Sequence, residues 1–110
     1  MRVFIVALAM AVSLPAFAQQ AQRVSESALR KAMVDRLKDA DSAKFKSIKS
    51  KIENGSDGVL LICGEVNAKN SYGAYAGYEP FMAIGLNKGR GEYLVIGIGE
   101  AAGMTCDKKF

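Results

Sequence analysis

Between residues 25 and 38 the apolar positions Ala28, Leu29, Ala32, Met33, Val34 and Leu37 recur three or four apart, and Arg30, Lys31, Asp35, Arg36 and Lys38 fill the gaps. That period places one apolar stripe along an amphipathic helix, with Ser25 or Ser27 as its N-cap. In Asp39-Ala-Asp-Ser-Ala-Lys-Phe45 the period breaks, and two aspartates and a serine are spaced to cap a short second turn before Phe45, an inward anchor. Residues 46–52 alternate instead: Ile48 and Ile52 fall to one side and Lys49 and Lys51 to the other, as in a half-exposed strand. Residues 54–58, Asn-Gly-Ser-Asp-Gly, are a dense turn signal between this strand and the next.

The next strand is expected at residues 59–66. Its unbroken run Val59-Leu-Leu-Ile-Cys63 suits a strand covered on both faces or one ending at a cross-link. Residues 67–79 contain no run that would bury whole, and they read as a long loop. Two further strands are expected at 81–86 and 93–98, joined by the glycine-bearing connection at 87–91. The sum is a small α+β fold in which an N-terminal amphipathic helix packs on a mostly antiparallel sheet of about four strands with one disulfide. Short connections favour pairing in chain order. Residues 99–110 read as a short tail tied back by Cys106.

The first 18 residues change this picture. Arg2, an apolar run from Val3 to Leu14, Pro15 and the small residues Ala16 and Ala18 around Phe17 form a secretory signal peptide with an A-x-A cleavage site after Ala18. About 12 apolar residues are too few for a membrane span, which needs roughly 20. The expected products are a leader at residues 1–18 and a single domain at 19–110, periplasmic or secreted, without stable membrane insertion. Loss of Arg2 lowers the formal charge from +4 to +3. Cys63 and Cys106 both lie beyond the cleavage site and meet an oxidising compartment, where one intramolecular pairing is possible. Closing that loop of about 43 residues is worth roughly 4 kcal/mol in the chain-entropy picture.

Candidate chemistry is sparse. The chain has no histidine, which removes the usual general base near neutral pH and the commonest metal ligand. Scattered acids and oxidised cysteines offer no metal site, and no cofactor is expected. Gly97-Ile-Gly-Glu-Ala-Ala102 imitates a dinucleotide-binding turn, but a second strand and its acidic residue have no place after it, and the glycines read as strand-end flexibility or close backbone packing. The densest functional groups are Glu65, Asn67, Lys69, Asn70, Ser71, Tyr72, Tyr75 and Tyr78, on a segment loosened by Gly73 and Gly77. Tyrosine combines a large apolar area with a polar tip, which suits recognition of a protein or a sugar. The alternative is that the tyrosines pack over the sheet edge while Asn67 and Asn70 cap turns.

Lys44, Lys46, Lys49 and Lys51 alternate along the first strand and could face one side of it. Defence of an exposed edge is their expected role, with an anionic envelope polymer or membrane surface as the other candidate and nucleic acid set aside for an exported chain.

The stretch Asp39-Ala-Asp-Ser-Ala-Lys-Phe45, with Cys63-Gly-Glu-Val-Asn-Ala-Lys-Asn-Ser-Tyr-Gly73 and Gly77-Tyr-Glu-Pro-Phe81, resembles a family of small exported bacterial proteins of unassigned activity. The likeness spans residues 37–84 and the later cysteine and departs at Ala74, where many members carry glycine. It implies a bacterial, extracytoplasmic protein with this loop as its signature, and it carries over no reaction. The functional expectation is an interaction protein, not an enzyme, whose 65–79 segment contacts a protein or cell-wall glycan. The alternatives are an inhibitor or immunity protein against a secreted hydrolase, and a small envelope hydrolase using Glu65, Lys69 or Ser71.

Overall fold

The computed structural model describes residues 24–53 and 58–110. The leader and its cleavage site, the polar stretch at 19–23 and most of the turn at 54–58 lie outside the described residues. The elements run α1 (Glu26–Ala32), β1 (Asp39–Ile52), β2 (Leu60–Lys69), β3 (Glu79–Gly85), β4 (Tyr93–Ile98) and α2 (Glu100–Lys109), and the strands form one antiparallel sheet in the order β1-β2-β3-β4.

Ser25 caps α1, its hydroxyl accepting from the Ala28 amide at 3.2 Å. α1 begins at Glu26, so neither helix starts the chain, and it is shorter than the stripe at 25–38 implies: the backbone turns at 33–36. Leu29 and Met33, four apart, already fill the buried face. The turn lets Leu37 reach the same cluster while aiming the chain into β1, and it leaves Val34 in solvent. Arg30 Nε donates to the Ala43 carbonyl at 2.9 Å, and the Ser25 amide donates to the Tyr93 hydroxyl at 3.1 Å.

β1 starts earlier than the alternation suggests. The short helical turn expected at 39–45 is instead an irregular first part of the strand, arched between Asp39 and Lys44. The capping chemistry itself is present: the Ser42 amide donates to Asp39 Oδ1 and the Ser42 hydroxyl to the Asp39 carbonyl. A second irregularity falls between Lys46 and Lys49, with Ser47 in the left-handed region at φ 55°. The bulge lets Phe45 and Ile48, three apart and so on opposite faces of a regular strand, both pack against the core. Ser47→Val, favourable in an ordinary strand, is therefore expected to cost about 1–2 kcal/mol here, because a β-branched side chain fits poorly at positive φ. A denaturant titration reads this as a lowered midpoint at unchanged slope; a raised midpoint would show that the bulge stores no preference.

β2 is covered on both faces. Leu60, Ile62 and Val66 join Leu29, Met33, Phe81, Ala83, Tyr93 and Val95 on one side, and Leu61 and Cys63 meet Cys106 on the other. Gly64 lacks a side chain where Phe81 needs room: a Cβ there would lie 3.0 Å from Phe81 Cε1.

The tail after β4 is a second helix. Gly99, at φ 118°, turns the chain out of the sheet, and its amide donates to the Pro80 carbonyl at 2.7 Å. Glu100 in the first turn and Lys108 and Lys109 in the last complement the helix dipole. Gly103 lies close against Pro80, and Ala102 and Cys106 are the buried residues. The glycines at 97–103 thus serve a strand-to-helix turn and a close helix approach. Cys63 and Cys106 form the expected disulfide, Cα atoms 6.0 Å apart. Among the described residues no helix is long and apolar enough to cross a membrane.

Candidate functional site

Strand β2 continues to Lys69, so the loop proper is 70–78 and Glu65, Asn67 and Lys69 stand on a strand. Asn70 organises the first half of the loop. Its Oδ1 accepts from the amides of Tyr72 and Ala74 at 2.9 and 3.3 Å, while its own amide donates to the Ala74 carbonyl at 2.9 Å. Gly73, at φ 77°, takes the turn that this closure requires. Asn67 Oδ1 holds the far limb through the Gly77 amide at 3.1 Å. Tyr75 bridges to Lys69, and its hydroxyl donates to the Ser42 carbonyl at 3.0 Å, tying the loop to β1.

Turn capping and edge packing therefore account for Asn67, Asn70 and Tyr75. Tyr78 also folds back, with Lys46 Nζ 4.1 Å from its ring centre. Tyr72 differs: it stands at the tip, 94% exposed, with Ser71 beside it in solvent. Such a loop holds one large aromatic surface outward on a backbone that is already ordered, which lowers the entropy lost on binding.

Glu65 belongs to a neighbouring groove of about 360 Å³, which it lines with Lys49, Cys63, Cys106, Asp107 and Phe110 between the sheet and α2. Its rim is tied at the C-terminal end of α2: Lys109 Nζ meets Glu53 Oε1 at 2.6 Å, and Lys51 Nζ donates to the Lys109 carbonyl and sits over the Phe110 ring. Asp107 and Phe110 gave no signal in the sequence because the helix that carries them gave none. Among the described residues no hydrogen bond or ion pair joins Glu65, Lys69 and Ser71 to one another. No cluster of three or more acids or cysteines there is placed to hold a metal.

The lysines of β1 share one side of the strand. Lys44, Lys46, Lys49 and Lys51 face Asn67, Glu65, Cys63 and Leu61 across the ladder, so all four occupy the face away from α1. Strict alternation would split them, with 44 and 46 on one side and 49 and 51 on the other. The Ser47 bulge reunites them. Comparison with protein-family models, curated proteins and solved structures returns no match to this chain.

Proposed function

We propose that this chain is an exported, non-catalytic interaction protein whose 65–79 segment contacts a protein or an envelope glycan in the periplasm or outside the cell. In this reading the sheet is a rigid platform between α1 on one face and the disulfide-tethered α2 on the other. The leader expected at residues 1–18 and the Cys63–Cys106 bridge support the compartment. The observation that carries the activity is Tyr72, an exposed ring on a loop pinned at Asn67, Asn70 and Tyr75. An isolated surface tyrosine needs no explanation, but one presented by a pre-ordered turn has the form of a binding anchor. An inhibitor that seats this ring in the cleft of a secreted hydrolase is the protein-partner form of the same reading.

Tyr72→Ala separates binding from folding. Its unfolding free energy is expected to stay within about 0.5 kcal/mol of the wild type, since the ring is solvated. Capture of the immobilised protein's partner from an envelope preparation is expected to fall about tenfold or more. Equal capture by the folded variant would remove the loop as the contact surface.

A further inference from the structure

We infer that the outer face of β1 is a binding track for a linear acidic glycan, held by Lys44, Lys46 and Lys49 with Lys69 beside them. The inference rests on the interaction reading above in taking the chain as a binding protein, but it places the ligand on the strand and not at the loop tip. Lys44, Lys46 and Lys49 share one face only because of the bulge at Ser47. At a strand rise of about 3.3 Å per residue, neighbouring lysines follow one another every 7–10 Å or so, in single file over about 16 Å. Among the described residues no carboxylate lies within 4.0 Å of any of these ammonium groups, and Glu65, opposite Lys46, forms no ion pair.

Three of the four have aromatic neighbours, while Lys49 lines the groove with Glu65 and Asp107. Lys44 and Lys69 lie 4.4 and 5.7 Å from the centre of the Tyr75 ring, and Lys46 lies 4.1 Å from that of Tyr78. The rings fix these three ammonium groups without neutralising them, so the repulsion along the row is left for an external anion to relieve. β1 is also an edge strand, so a polymer can approach it without displacing another strand. Edge defence alone is served by lysines on either face and does not require them in a row.

A single file of cations matches a chain better than a plane, which disfavours a membrane surface. The disulfide points to an oxidising compartment, and ring faces already occupied by ammonium groups are poorly free for stacking bases; both disfavour nucleic acid. Regularly spaced carboxylates on a sugar chain fit the spacing and the compartment.

The test is titration of the oxidised protein with oligogalacturonate, with neutral dextran fragments, single-stranded oligo-dT and anionic lipid vesicles as comparison ligands. Oligogalacturonate is expected to bind and dextran not, with affinity falling steeply as salt rises from about 50 to about 200 mM. The K44Q/K46Q/K49Q variant is expected to lose about tenfold or more, and a charge-matched K31Q/K38Q/K108Q variant to stay within about twofold, because only the first set lies on the track. Glu65→Gln, which removes the acid facing Lys46, is expected to tighten binding. Tyr72→Ala is expected to leave this titration unchanged, so the loop-tip reading and the track stand or fall separately. Equal loss in the two triple variants, no binding of oligogalacturonate, or tighter binding of oligo-dT or vesicles would each overturn the inference.

Discussion

Phe81→Ala is expected to lower the unfolding free energy by about 3–5 kcal/mol, more than any other single truncation in this small core. Phe81 is fully buried and meets Phe45 edge to face, ring centres 5.7 Å apart and planes at 69°. Its ring also fills the space left by Gly64, so truncation removes the filling from both sides of that contact. The void would be slow to collapse, because Phe81 is paired to Gly64 on β2 and to Ile98 on β4 and neither strand can move in without breaking its ladder. Small domains have only about 5–15 kcal/mol in total, so the variant should be largely unfolded when warmed to 37 °C. Phe45→Ala, at a half-buried position, should cost clearly less. A midpoint shift for Phe81→Ala equivalent to less than about 1.5 kcal/mol would mean that the two-faced sheet does not depend on this ring.

Loss of the Cys63–Cys106 bridge should come next. The bond closes a separation of 43 residues, and the double alanine variant is expected to lose about 4 kcal/mol, or about 15 °C or more in Tm. The damage should also be local. α2 buries little besides Ala102 and Cys106, and a helix of ten residues has no stability of its own. Without the bond, what remains includes the Gly103–Pro80 contact, the Gly99–Pro80 hydrogen bond at its N-cap and the ties of Lys51 and Glu53 to Lys109. Under folding conditions the α2 amides should therefore exchange at nearly unfolded rates while those at the centre of β2 and β3 stay protected. Protection of α2 equal to that in the oxidised protein would show that side-chain contacts, and not the bridge, keep it on the sheet. If α2 is released, Asp107 and Phe110 leave the groove at Glu65 and Lys51 loses its contacts to Lys109 and Phe110, whereas Tyr72, Lys44 and Lys46 keep their contacts. Reduction should thus open the groove without dismantling either proposed contact surface.

The parts of this protein legible in its sequence are those set by short-range period. β4 coincides with its expected span, β2 shows as an unbroken apolar run because Leu61 and Cys63 meet Cys106 while Leu60 and Ile62 meet the main core, and strand order follows chain order. Two cysteines leave a single intramolecular pairing, and the structure makes it. The capping role of the loop asparagines was also foreseeable, as one of two readings of Asn67 and Asn70.

α2 left no such trace. Its buried positions are an alanine and a disulfide cysteine four apart, too thin a stripe to mark a helix, and its place on the sheet depends on a bond to a residue 43 positions away. The lysine row was legible in the sequence only as a possibility. Spacing of two, three and two residues reads as a broken alternation, and only the joint demand of Phe45 and Ile48 for the same core makes Ser47 bulge and brings Lys46 and Lys49 to one face. Local patterns of side chains determined which segments became strands and where they turned back. Pairing between distant segments decided the register, the bulge and the docking of the last helix, because those depend on which residues compete for one shared interior, and neighbours in sequence carry no record of that competition.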